Sequence, residues 1–174
     1  YPPEQDSTYP RLFKGLQDLV RPFVYRRYLD FGVIAAIREL HGQIQQEAEK
    51  RSLAHPERAA DIKLGRGGIR EIEFMAQMFQ LVRGGQDPGL RIRPTLEVLH
   101  AVYERQLLSE VDLKQLTQAY DYFRKLEHRL QYWEDAQTHH LPGDDASQAR
   151  LAKAMGHENL ENFRTTLAFH RGNV

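Results

Sequence analysis

At 174 residues the chain is long enough for one domain with a real core and too short for two full-sized ones. Lysine plus arginine and aspartate plus glutamate both number 24, giving a formal net charge of +0, and a hydrophobic share of 41% with a mean hydropathy of -0.63 describes an ordinary soluble globule. A strongly basic nucleic-acid binder, an acidic disordered tail and a membrane span are disfavoured, and the lack of cysteine excludes disulfide frameworks, thiolate zinc sites and cysteine nucleophiles, in keeping with a cytoplasmic address.

The chain opens at Tyr1 without methionine or a signal segment, so it reads as an excised piece of something longer. Residues 1–11, rich in proline and without apolar periodicity, read as a linker or the edge of that piece, with order beginning near Leu12 and a helical domain over 12–174. From Phe23 onward Val24, Tyr28, Phe31, Ile34, Ile37, Ile44 and Ala48 recur at three- and four-residue steps. That spacing predicts one long amphipathic helix, with Pro22 in its first turn and an end before His55 and Pro56.

In the stretch from Asp61 to Arg70, Ile62 and Leu64 alternate with Asp61 and Lys63, which predicts a short strand or hairpin that buries the first pair. Gly65, Gly67 and Gly68 then forbid a regular helix and permit a turn. Ile69, Ile72, Met75, Phe79 and Val82 form one helical stripe, stopped by Gly84 and Gly85. Pro94 to about Leu108 repeats the pattern through Leu96, Leu99, Val102 and Tyr103. A Ser109 cap then opens a longer helix whose face is Leu116, Ala119, Tyr120, Phe123, Leu126, Leu130 and Trp133. After the break at Leu141-Pro-Gly-Asp-Asp, a short helix runs from Ala146 to Met155, and Asn159 caps a last one through Leu160, Phe163 and Leu167. The fold class is mainly α: a bundle of about five or six helices with one short strand or hairpin at the Gly-rich motif.

The Gly-rich stretch is where chemistry is most readable. Three glycines among Lys63, Arg66 and Arg70, ahead of a helix, bring backbone N–H groups and cations to a helix N-terminus, where the dipole favours an anion such as phosphate. The pattern is neither a P-loop nor a dinucleotide fingerprint, and the competing reading is a tight connector whose glycines serve backbone geometry alone. Glu71 and Glu73 point in different directions, with Arg70 and Glu73 placed to pair locally. Asp61 and Lys63 share a strand face, as a metal-facing carboxylate and a phosphate contact respectively. His139-His140 beside Asp144-Asp145 reads as solvated loop rather than metal site, and Arg26-Arg27 and Arg91 with Arg93 read as charged faces. His128 has no serine or cysteine partner, so no hydrolytic triad arises.

The runs RPFVYRRYLDF (Arg21 to Phe31), DIKLGRGGIREIEFMAQMFQLVRGG (Asp61 to Gly85) and LEHRLQYWEDAQTHHLP (Leu126 to Pro142) strongly resemble the bacterial glutamine synthetase adenylyltransferase/adenylyl-removing enzymes. A related Lys, Gly-x-Gly-Gly and Arg pattern occurs in the uridylyltransferase of the PII signal protein. The resemblance implies the helical domain of the adenylyl-removing half, which follows a nucleotidyltransferase domain and takes part in phosphorolysis of adenylyl-tyrosine on glutamine synthetase, giving ADP. It also implies Mg2+ and an adenine nucleotide or phosphate as cofactors of the whole enzyme. Its partners would be glutamine synthetase, PII and the upstream nucleotidyltransferase domain. By resemblance, Lys63, Gly65, Arg66, Gly67, Gly68 and Arg70 are assigned to nucleotide or phosphate contact, and Glu71 and Glu73 to support. The family's Gly-Ser followed by an Asp-x-Asp pair is absent, so no catalytic or metal-binding residue is assigned here and the chain alone is expected to be inactive. The alternative is a non-catalytic regulatory or docking module for PII or glutamine synthetase.

Overall fold

The computed structural model describes residues 8–27, 31–54, 61–134 and 139–174. In chain order the helices are α1 (Thr8–Val24), α2 (Phe31–Ala54), α3 (Ile69–Arg83), α4 (Thr95–Glu104), α5 (Glu110–Glu134), α6 (Asp145–Ala154) and α7 (Leu160–Gly172), with a 3-10 turn at Pro88–Leu90. The mainly α reading holds, with seven α-helices among the described residues rather than five or six.

The added helix comes from the run expected to be continuous from Phe23. Phe23 and Val24 instead close α1, Tyr25–Arg27 leave the helical path, and α2 starts at Phe31. Pro22 therefore sits in the last turn of α1, not the first turn of the next helix. Tertiary contact explains the break. The Arg91 guanidinium stacks 5.1 Å from the Tyr25 ring centre, Gln86 Nε2 donates to the Arg27 carbonyl at 3.2 Å, and Gly84 and Gly85 lie against Tyr25 and Arg26. Gly84 adopts an ordinary φ of -63, so the two glycines that stop α3 are needed for this close approach rather than for a left-handed turn. α1 begins at Thr8, ahead of Leu12, and α2 ends at Ala54. Residues 1–7 of the expected linker, Tyr28 and the His55–Pro56 stop lie outside the described residues, as do the side chains of Ile34, Ala48 and Trp133.

The buried apolar residues named among the described ones all fall between Ile62 and Leu167. α5 is the axis, packing against α3, α4, α6 and α7. Its inward stripe is Leu113, Leu116, Ala119, Phe123, Leu126 and Leu130, with Phe123 wholly buried and Tyr120 half-buried at the edge. α3 contributes Ile69, Ile72 and Ala76, α4 Val98, Leu99 and Val102, and α7 Phe163 and Leu167. The caps are those the sequence implies: Ser109 Oγ accepts from the Asp112 N–H at 3.1 Å, and Asn159 Oδ1 from the Asn162 N–H at 2.8 Å. No described helix is long and apolar enough to cross a membrane.

Candidate functional site

The segment 61–68 is not a strand or hairpin. A single antiparallel bridge joins Asp61 to His140, and the chain turns at once. The cause is Asp61, whose Oδ1 accepts from the N–H groups of both Lys63 and Leu64 at 2.8 Å, closing a side-chain turn that competes with a ladder. Burial follows the turn and breaks the expected alternation: Ile62 is buried as expected, but Asp61 is buried beside it, Lys63 is half-buried and Leu64 is 44% exposed.

The glycines then bring four parts of the chain together. Gly67 has a φ of +67, and a Cβ there would meet the Arg171 backbone, with its Cα at 2.9 Å. A Cβ on Gly68 would fall 2.7 Å from the Ile62 carbonyl oxygen. Arg171 Nη2, reaching from α7, donates to the Asp61 carbonyl at 2.9 Å, and burial lowers its pKa against the opposing pull of the Asp61 charge. The Ile62 N–H donates to the His139 carbonyl at 2.9 Å. Thus His139-His140, expected to be solvated loop, is the bridge partner of the motif. The His139 carbonyl supplies an acceptor that the turning segment needs.

The first N–H groups of α3 bear directly on anion binding. The Ile69 N–H donates to the Ile62 carbonyl (3.2 Å), that of Arg70 to Lys63 (3.1 Å) and that of Glu71 to Gly68 (3.1 Å). These are the donors a phosphate at the helix N-terminus would use, and the Gly-rich turn itself fills them.

Lys63 is likewise engaged. Its Nζ lies 3.2 Å from Oε1 of Glu127, a side chain of α5 that is only 2% exposed. Arg124 Nη1 holds the other carboxylate oxygen at 2.7 Å, and His139 Nδ1 lies 3.2 Å from Oε1, off the line of a hydrogen bond. Arg124 also sits 5.9 Å from the Tyr120 ring centre, and the Tyr120 hydroxyl donates to Glu73 at 3.2 Å. Glu73 therefore pairs with Tyr120 across to α5 rather than with Arg70 along α3. Glu127 was not singled out from the sequence. Its signal was present: it stands four residues after Phe123 and three before Leu130, a carboxylate on an apolar stripe.

Of the sequence-assigned residues, Lys63, Gly65, Gly67 and Gly68 thus have internal work, while Arg66 is exposed and Arg70 half-buried, with no ion pair recorded for either among the described residues. Arg66 lies in the turn and Arg70 in the first turn of α3, and the guanidiniums suit a phosphate bidentately. A divalent cation does not fit: Asp61 and Glu127 are taken by N–H groups and cations, and among the described residues no three His, Asp or Glu side chains group as metal ligands. An open depression of about 620 Å³, lined by Tyr103, Leu107, Leu108 and Asp112, lies at the α4–α5 turn, away from the motif.

Comparison with known proteins fixes the family. The family model described as GlnD PII-uridylyltransferase matches residues 38–174, from within α2 to the last residue given, with the Gly-rich turn and Glu127 inside the match. The chain belongs to the GlnD PII-uridylyltransferase family. It is also similar to proteins named bifunctional glutamine synthetase adenylyltransferase/adenylyl-removing enzyme. It is 56% identical over 164 residues to the one from Burkholderia mallei, covering 94% of this chain and 18% of the relative. The Ralstonia nicotianae protein is 59% identical over 157 residues, 84% of this chain and 16% of the relative. The Bordetella pertussis protein is 48% identical over 171 residues, 97% of this chain and 18% of the relative. This family member therefore spans less than a fifth of the length of these relatives.

Proposed function

We propose that the chain is the helical segment of a glutamine synthetase adenylyltransferase/adenylyl-removing enzyme, and that it serves the adenylyl-removing reaction. The observation that carries this reading is the 56% identity over 94% of the chain to a protein of that name. In the reaction, phosphate attacks the phosphorus of adenylyl-tyrosine, the bond to the tyrosine oxygen breaks, and ADP leaves with glutamine synthetase restored. The carboxylates that hold magnesium belong, in this reading, to a nucleotidyltransferase domain elsewhere in the polypeptide, so the helical segment alone is inactive. The whole enzyme works in the cytoplasm. The segment's contribution is positional. The internally bonded Gly-rich turn is a rigid mount, and Arg66 and Arg70 extend from it as cations for the phosphate groups. Arg66→Ala and Arg70→Ala, made in the longer enzyme, each lower the phosphorolysis rate by about tenfold, the loss of one charge-assisted hydrogen bond. Wild-type rates in both variants with unchanged melting would remove the assignment.

A second reading is favoured by the filled N–H groups at the start of α3. In it the turn is purely architectural and the segment docks PII or glutamine synthetase. Calorimetric titration separates the two: partner binding by the chain without any binding of adenine nucleotide or phosphate supports docking.

A further inference from the structure

α1 carries an apolar face that no described part of the chain covers. Leu12, Leu16, Leu19 and Phe23 follow one another at three- and four-residue steps, flanked by Phe13 and Val20, and together they span about 120° of the helix at 100° per residue. All are exposed, Phe23 to 73% and Leu19 to 67%. Lys14, Asp18 and Arg21 occupy the opposite side, where Arg21 pairs with Asp18 at 3.1 Å. A contiguous stripe of this size on a helix marks a contact rather than a solvated surface.

Three further observations identify the occupant. First, α1 is anchored: its exit is fixed to the end of α3 through Tyr25, Arg26 and Arg27, so the stripe is held at a set place on the helical unit. Second, the family match starts at residue 38, leaving α1 outside the unit it recognises. Third, relatives that align over up to 97% of the chain, a span long enough to include α1, extend it with more than four times as much polypeptide. The helix therefore accompanies the longer protein, not the family's helical unit.

We infer that the α1 stripe is an intramolecular docking face, covered by an apolar surface of another folded part of the same polypeptide outside these 174 residues. α1 then acts as the joint between that part and the helical unit. The inference rests on the reading of the chain as a segment of a longer polypeptide but not on the proposed reaction, and its test reads contact rather than activity.

The test replaces Phe23 with p-benzoylphenylalanine in the longer polypeptide, irradiates it at micromolar concentration and sequences the cross-linked peptides by mass spectrometry. The expected product is a monomeric adduct joining α1 to a peptide from outside this segment. The same label at Lys14, on the opposite side, gives at least tenfold less of it. A cross-link between two copies, an adduct with added phospholipid vesicles, a cross-link back into the segment or no adduct at all would each overturn the inference.

Discussion

Glu127 is a carboxylate almost sealed from water, and its stability rests on the cations around it rather than on solvent. Lys63 and Arg124 are each about a third exposed, so the burden of desolvation falls on the acid. Removing both cations should be far worse than neutralising the acid as well. Lys63→Met with Arg124→Met is expected to cost about 3–5 kcal/mol by urea unfolding, and adding Glu127→Gln to that pair should recover part of the loss. A triple variant no more stable than the double would mean that the carboxylate is better solvated than its burial shows. Glycine positions make a second comparison at this scale. Gly67 and Gly156 both have positive φ, +67 and +84, but only Gly67 is closed in by backbone, while a Cβ on Gly156 meets nothing within 4 Å. Gly156→Ala should cost about 1 kcal/mol, the left-handed strain alone, and Gly67→Ala at least twice that, in paired thermal melts.

At the level of elements, helix starts were readable and helix joins were not, and the helix expected to run to about Leu108 stops at Glu104. The cap of α6 is Asp144, whose carboxylate accepts from the Ser147 N–H at 2.8 Å, and this bond holds its pKa below the ordinary 3.8. A lowered carboxylate pKa contributes stability that is present above the unfolded value and lost as the pH falls through the folded one. Acid should therefore weaken α6 below about pH 3.8, and Asp144→Asn should flatten that part of the pH profile, followed by amide exchange in Leu151 and Ala152. Caps such as Ser109 and Asn159 are local chemistry, and so the sequence displays them. The break at Tyr25 is set by Arg91 and Gly84, residues far along the chain, and a periodic apolar run cannot reveal a contact of that kind. The same limit explains the Gly-rich turn. Its glycines were legible as a departure from helix, whereas the filling of the α3 N–H groups depends on how Ile62, Lys63 and Gly68 fold back, which composition does not encode. Glu127 was visible as an anomaly on a stripe, but its partner Lys63 lies 64 residues away.

For the molecule as a whole, the described apolar core belongs to the part from Ile62 onward, and α1 contributes exposed rather than buried leucines. Removing residues 1–57 should therefore leave a cooperative unit that loses little more than the Tyr25 contacts, roughly 1 kcal/mol. Calorimetry on the shortened chain checks this, and a broad or absent transition would show that α2 carries part of the core.

The contact between Arg171 and Asp61 spans 110 residues, so the motif is closed by α7, the last described helix. A clasp of that reach forms only after the intervening chain has been ordered, because an early closure would lose loop entropy before any packing repaid it. On the ribosome the Gly-rich turn thus becomes native only after α7 has emerged and docked. The practical consequence is directional. Weakening Gly67 or Arg171 should leave the folding rate almost untouched and instead speed the opening of the finished fold.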